Sequence, residues 1–310
     1  MKMNRYLVTA VSGLALTAAM PGYSASLPDI TGAPQMVVTM LPGAGGNRPD
    51  NLAPGDINVQ LNRAQAPIVQ MQRLTGDLAE MQLFVLLDDS SRTGSLSIHL
   101  KELKDFFNSL PPTTQLAVGY MRNGTFSLSQ DFTADHQKAA GALRVPMGVV
   151  GGNGSPYFSL GDLMKRWPSQ QQTYRRAVLM LTDGVDRYNA GGDLDDPYMD
   201  AAIHGALRHG IMVYSIYLSG AGRFGQRGRP LMFGQSHLIE VSEETGGYAY
   251  FEDFRDPVDI APFLNDLRDR LDHQYQLTFG TVSEKGYVPA KLHTEVKGLK
   301  VVGPTRVFVP

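Results

Sequence analysis

Residues Met81–Leu100, MQLFVLLDDSSRTGSLSIHL, decide how the rest of the chain is read. The run Leu83-Phe84-Val85-Leu86-Leu87 is too short for an isolated helix and too continuous for a half-exposed strand. It is expected to be a fully buried strand, stopped by Asp88-Asp89-Ser90-Ser91. From Leu96 onward Leu100, Leu103, Phe106, Phe107 and Leu110 recur with helical spacing. The acids and hydroxyls therefore fall in the turn where a central strand passes into a helix. In a parallel sheet that turn lies at the carboxyl edge, where open α/β folds place their ligands. Oxygen side chains crowded there suit a hard divalent cation such as Mg²⁺. Ser90, Ser91, Thr93 and Ser95 are equally natural helix caps, and Asp and Ser are ordinary turn residues.

Toward the C-terminus, Gln115–Met121 is a second expected strand, and the Asn123-Gly124 turn signals a hairpin whose return strand Thr125–Ser129 pairs antiparallel at an edge. A helix holding Ala139, Ala140, Ala142 and Leu143 ends before Pro146. Gly151-Gly152-Asn153-Gly154-Ser155-Pro156 opens another helix, with Ser155 as N-cap and Pro156 in its first turn. This loop lacks the lysine and the spacing of a phosphate-binding P-loop, so no nucleotide site is expected. Arg176–Thr182 (RAVLMLT) is a second all-apolar strand, ended by Asp183-Gly184. Then follow a helix over Tyr198–His209 behind Asp196 and Pro197, a buried strand Ile211–Leu218, a short helix Ser236–Thr245 and a strand Tyr248–Phe251. A long amphipathic helix with Ile260, Phe263, Leu264, Leu267 and Leu271 on one face completes the series. Strands alternating with helices, plus one edge hairpin, make a doubly wound, mostly parallel α/β sheet over residues 77–274.

The flanks differ. Residues 1–26 have the form of a secretory signal: Lys2 and Arg5 lead Tyr6–Met20, an apolar stretch well short of the ~20 residues a spanning helix needs. The mature chain is thus expected to be exported, without a membrane-spanning segment. Removing Lys2 and Arg5 from 28 basic residues against 30 acidic ones leaves a net charge of −4. Residues 27–55 are rich in Pro and Gly and are expected to be a linker. Over 56–76, Ile57, Val59 and Leu61 alternate, and Ile68, Val69 and Met71 follow, giving two short appended strands. Residues 275–310 return to alternation (Leu292, Thr294, Val296; Val307, Val309), so a small β region is drawn from both termini. The basic residues are dispersed without a Lys/Arg block, which argues against nucleic acid. The absence of cysteine excludes disulfides, thiolate metal sites and lipoprotein anchoring.

Three carboxyl-edge turns thus carry oxygen side chains: Asp88–Thr93, Ser155 and Asp183. In that order they resemble the metal-ion-dependent adhesion site of the von Willebrand factor type A (VWA) family. The resemblance runs over about Met81–His273, with Leu181-Thr182-Asp183-Gly184 its most specific piece. With the appended strands, the chain most resembles the bacterial exported VWFA-related subgroup. The family's first motif is Asp-x-Ser-x-Ser. One register gives Asp88, Ser90 and then Arg92; the other gives Asp89, Ser91 and Thr93. Asp88 directly follows the buried run, as the family's aspartate does, so the first register is preferred, with Thr93 reaching in across a bulged turn.

The resemblance implies Mg²⁺ or Mn²⁺ held by Asp88, Ser90, Thr93, Ser155 and Asp183, with an open position for an Asp or Glu carboxylate of an unidentified partner protein. Ser155 stands where threonine is usual, and a guanidinium at Arg92 can weaken the cation or replace it by pairing with Asp183. The alternative is a metal-free turn of caps and ion pairs. Arg223, Arg227 and Arg229, in the loop SGAGRFGQRGRP, are placed to steer an acidic ligand, a flexible solvated loop being the plainer reading. Asp193, Asp195 and Asp196 suit a second cation or an Asx turn and helix cap equally. No enzyme is expected: His204 and His209 do not form H-E-x-x-H, and no G-x-S-x-G elbow occurs. The expectation is an exported protein-binding module for adhesion or assembly. A metal-independent scaffold is the alternative, and a metal-assisted hydrolase comes third.

Overall fold

A computed structural model describes residues 33–43, 52–90, 93–149, 154–171, 175–189, 196–219, 229–253, 255–280, 282 and 284–310. The first strands are β1 (Gln35–Pro42), β2 (Ile57–Leu61), β3 (Ala64–Gln65), β4 (Ile68–Arg73) and β5 (Met81–Asp88). Next come α1 (Thr93–Ser97), α2 (Leu100–Ser109), β6 (Thr114–Arg122), β7 (Thr125–Thr133), α3 (His136–Gly141) and α4 (Pro156–Lys165). They are followed by β8 (Arg175–Thr182), α5 (Pro197–Arg208), β9 (Ile211–Tyr217), α6 (Arg229–Glu244), β10 (Ala249–Tyr250) and α7 (Ala261–Asp272). The chain closes with β11 (Gln274–Phe279), β12 (Gly286–Thr294), β13 (Leu299–Val302) and β14 (Arg306–Val309).

Every residue of β5 is buried because both faces of its sheet are covered. Leu83, Val85 and Leu87 enter a core with Leu103, Phe107, Leu264 and Leu267 of α2 and α7. Phe84 and Leu86 enter another with Tyr157, Leu160, Ala202 and Ile203 of α4 and α5. The sheet order is β10-β9-β8-β5-β6-β7, parallel throughout except for the β6–β7 hairpin. This is the expected doubly wound, mostly parallel α/β sheet with an antiparallel edge hairpin. It puts β5 beside β8, so the turns that follow these two strands are neighbours.

Both flanks join in one β-sandwich. Its sheets are β13-β1-β11-β4 and β14-β12-β2-β3. Met36, Val38, Val59, Leu277, Phe279 and Val307 share their common core. The α/β domain is therefore inserted between β4 and β11. The sandwich rests on α5 and α6, where His204 stacks on Tyr287 at 4.2 Å and Arg306 reaches Glu244 at 3.3 Å.

Several expectations are corrected. β1 lies inside the segment expected to be a linker and is hydrogen-bonded on both sides, to β11 and β13. The helix expected from Leu96 to Leu110 breaks at Ile98–His99, between α1 and α2. The last strand of the α/β sheet has two residues rather than the four of Tyr248–Phe251. α6 begins at Arg229, well before Ser236, which takes Arg229 out of the expected loop. The signal segment, residues 27–32 and 44–51 of the linker, Ser91, Arg92, Asp193, Asp195, Arg223, Arg227 and residues 151–153 lie outside the described residues.

Candidate carboxyl-edge site

β5 delivers Asp88 to the edge almost fully buried. Its Oδ1 accepts from the Ser90 backbone N–H at 2.9 Å and from Ser90 Oγ at 2.7 Å, while Oδ2 accepts from Thr182 Oγ1 at 2.9 Å. Burial pushes this carboxyl above the usual range, against the pull of those bonds and of the Arg187 charge. Asp89, also buried, is held by another loop. Its Oδ1 accepts from Arg144 Nη1 at 2.6 Å and Met147 N at 2.9 Å, and its carbonyl accepts from Gly148 N at 2.9 Å. Burial raises the Asp89 carboxyl, but the Arg144 and Met147 bonds outweigh it and hold it below the usual range. The Arg144 guanidinium also lies over the Tyr120 ring at 3.8 Å.

Asp183 follows β8 and is fully buried. Its Oδ1 accepts from Val185 N at 3.0 Å and its Oδ2 from Arg187 Nη2 at 2.8 Å. Burial lifts this carboxyl to about 6; the Arg187 charge works against that rise and the Asp88 charge adds to it. Arg187 Nη1 also donates to Val185 O at 3.2 Å, and its backbone N–H donates to Gly154 O at 2.7 Å, tying this turn to the Ser155 loop. The turn itself needs glycine. Gly184 has φ +68°, and a Cβ there would stand 2.4 Å from Gly234 O of α6.

Ser155 caps α4, its Oγ accepting from Tyr157 N at 3.2 Å and Phe158 N at 3.4 Å. The same hydroxyl donates to Asp186 Oδ2 at 2.8 Å. Asp186 Oδ1 accepts from Tyr188 N at 2.7 Å and Asn189 N at 3.1 Å. Asp196 caps α5 through Tyr198 N and Met199 N, at 2.9 and 3.1 Å. Burial raises its carboxyl, and neighbouring Asp186 adds to the rise against those capping bonds. His237 of α6 packs edge-on to Tyr157 with ring centroids 5.8 Å apart, its Nδ1 buried without a hydrogen-bond partner among the described residues.

The structure thus brings Asp88, Ser90, Ser155 and Asp183 to the carboxyl edge, with Thr93 as the first residue of α1 and Arg229 as the first of α6. Sequence reasoning missed Arg187, Asp186 and His237. Arg187, four residues along the chain, places a guanidinium on Asp183, and the expected Arg92 lies outside the described residues. The oxygen donors have the hardness that Mg²⁺ or Mn²⁺ prefers. Ser90 and Ser155 give their protons to Asp88 and Asp186 and keep their lone pairs, so the obstacle to a divalent cation in this arrangement is the guanidinium that Asp183 already holds. Among the described residues, no group of three or more Asp, Glu or His side chains converges as a metal-ligand set.

The rim of this edge is apolar. Met147 and Val149, beside Asp89, and Tyr188 and Tyr198, packed around Phe158 at 5.1 and 4.3 Å, are 52–70% exposed.

Fold and edge together define a doubly wound α/β domain with an antiparallel edge hairpin, carried on a β-sandwich. No protein-family model matches the sequence, and no curated protein does. Among solved structures, a von Willebrand factor type A protein from Catenulispora acidiphila aligns over 89% of this chain and 74% of its own, at 12% identity and TM-score 0.44. An aerotolerance-related membrane protein from Bacteroides fragilis aligns over 62% of this chain and 98% of its own, at 13% identity and TM-score 0.42. The pilus adhesin SpaC from Lactobacillus rhamnosus GG aligns over 86% of this chain and 49% of its own, at 10% identity and TM-score 0.44. No helix among the described residues is long and apolar enough to cross a membrane.

Proposed function

We propose that the chain is a protein-interaction module, exported for adhesion or assembly, whose carboxyl edge engages a partner segment carrying an Asp or Glu side chain among apolar residues. The observation that carries this reading is the exposed rim of Met147, Val149, Tyr188 and Tyr198 on the edge that holds the buried acids. Exposed apolar clusters rimmed by polar residues mark interaction sites, and aromatic residues and methionine are enriched in them. Arg144 and Arg187, side chains 32% and 25% exposed, supply positive charge at that edge for an acidic group. The reading is of a binder and not an enzyme.

A second reading has Mg²⁺ or Mn²⁺ on Asp88, Ser90, Thr93, Ser155 and Asp183 taking the partner carboxylate. The hardness of those oxygens on three neighbouring turns favours it.

Selection from a random peptide library, in EDTA and separately in Mn²⁺, tests both. The first reading expects peptides with Asp or Glu beside aromatic or aliphatic residues, bound in EDTA. Their affinity should fall at least tenfold in Met147→Asp or Tyr188→Asp but not in Val69→Asp on the sandwich. Binding seen only with Mn²⁺ selects the second reading. Peptides indifferent to both edge substitutions would remove the edge from the function.

A further inference from the structure

We propose that Arg187 is the resident counter-cation of this edge: its guanidinium fills the charge position that the type A resemblance gives to Mg²⁺ or Mn²⁺, and its removal uncovers a divalent-cation site among Asp88, Ser90 and Asp183. The inference deepens the reading of the carboxyl edge as the working face by naming which cation stands there.

Two carboxylates, Asp88 and Asp183, are buried at the ends of adjacent strands. The other donors on them are neutral: the Ser90 amide and hydroxyl, the Thr182 hydroxyl and the Val185 amide. The charge they share comes from Arg187, which binds Asp183 directly at 2.8 Å and whose field also reaches Asp88. Arg187 is held both from its own turn and from the Ser155 loop. Its backbone is fixed on Gly154 O, and Nη1 is fixed on Val185 O. A guanidinium is a planar fork that spreads one charge over several directed bonds; a hard dication packs twice the charge into a point and takes oxygens from all sides. The two therefore compete for the same oxygens of Asp183. While Arg187 is present, a dication must displace a tethered, permanently charged neighbour. Once it is gone, the two buried acids keep neutral donors only among the described residues, the situation in which hard oxygens retain a divalent ion.

The test is calorimetric titration of Mg²⁺ and Mn²⁺ into EDTA-treated wild type, Arg187→Ala, Arg187→Lys and Arg187→Ala/Asp183→Asn, with thermal melting of each. The expected result is no saturable heat for wild type or Arg187→Lys up to millimolar metal. Arg187→Ala should bind, with a melting temperature raised by about 5 °C or more once Mn²⁺ stands roughly a hundredfold above its dissociation constant. The double variant should lose that rise. Saturable binding to wild type overturns the proposal, as does an Arg187→Ala protein as indifferent to Mn²⁺ as wild type. If Arg187→Ala does not fold in EDTA, recovery of native circular dichroism on adding Mn²⁺ supports the proposal and continued unfolding overturns it. No partner enters this experiment, so its outcome stands apart from that of the peptide selection.

Discussion

Alanine in place of the interior glycines of α4 and α6 should move stability in opposite directions. Alanine is favoured over glycine inside a helix by about 0.8–1 kcal/mol, whatever the tertiary setting. At Gly161 of α4 the setting adds no penalty, because the nearest atom to a new Cβ is the Ala202 methyl at 3.8 Å, an ordinary contact. Gly161→Ala should therefore stabilise by about 0.5–1 kcal/mol. At Gly234 of α6 a Cβ would stand 2.3 Å from Asp183 O and 3.0 Å from Val185 Cγ2. The first of these is backbone in the turn that positions the site acid, so it cannot swing aside like a side-chain tip. Overpacking of this kind costs about 1–3 kcal/mol or more, which exceeds the propensity gain. Gly234→Ala should lose about 1–2 kcal/mol net. In thermal melts of a chain this size the pair should separate to roughly 1–2 °C above wild type for Gly161→Ala and roughly 2–3 °C below for Gly234→Ala. A Gly234→Ala protein as stable as wild type would show that α6 does not press on the Asp183 turn.

Asp183 should make stability fall as pH rises. A carboxyl lifted from 3.8 to about 6 in the fold binds its proton more tightly there than when unfolded, so ionising it between those values costs the folded state about 3 kcal/mol. In urea unfolding with EDTA, Asp183→Asn should gain on wild type by about 2–3 kcal/mol between pH 4 and pH 7, and a constant difference would refute this. His237 acts with the opposite sign. Burial holds it below 6.5 against the pull of Asp196 and Asp186, so its contribution is present above pH 6.5 and lost as pH falls below that value. His237→Gln should flatten that acid limb by at most about 1.4 kcal/mol per pH unit, and an unchanged slope would exclude the group. Ser155→Ala removes the cap of α4 and the hydrogen bond to Asp186, and should cost about 1–2 kcal/mol in the same assay; a loss below about 0.5 kcal/mol would mean neither bond contributes.

The parts of the fold that local pattern reveals are those whose burial is symmetric or strictly periodic. β5 is legible because both faces of its sheet are covered, which leaves no polar residue to interrupt the run. β1 is not, although Met36, Val38 and Met40 alternate inward, because Pro34 and Pro42 frame it like a linker. Proline at the last position of a strand, as at Pro42, is tolerated at a strand end, and the pairings that create β1, Gln35 with Thr278 and Pro42 with Leu299, join opposite ends of the chain. The break between α1 and α2 is invisible for another reason. Leu96 and Leu103 are both buried on either side of it, so the apolar spacing carries straight across. In the site, Asp88 and Asp183 could be placed from strand ends and Ser155 from the start of α4. Arg187 could not, because its meeting with Asp183 depends on a non-helical turn through Gly184 at φ +68° and not on any periodicity.

That turn also explains why Leu181-Thr182-Asp183-Gly184 works as a unit. The parallel pairing sets Leu87 of β5 level with Leu181 of β8, so the next residues out, Asp88 and Thr182, come level too. Thr182 then bonds the acid of the neighbouring strand at 2.9 Å. Asp183 projects one step further, and Gly184 bends the chain beneath α6 so that Arg187 returns over it. The four residues divide the labour, with Leu181 filling the core, Thr182 satisfying Asp88, Asp183 carrying charge and Gly184 making the turn. Stability alone gives no reason for the charge on Asp183, since burial drives its carboxyl up to about 6 even beside a guanidinium, and replacing a buried ion pair by neutral groups is often neutral or stabilising. Under the proposed function, a charge kept at that cost beneath a rim of exposed methionine, valine and tyrosine serves recognition at the edge.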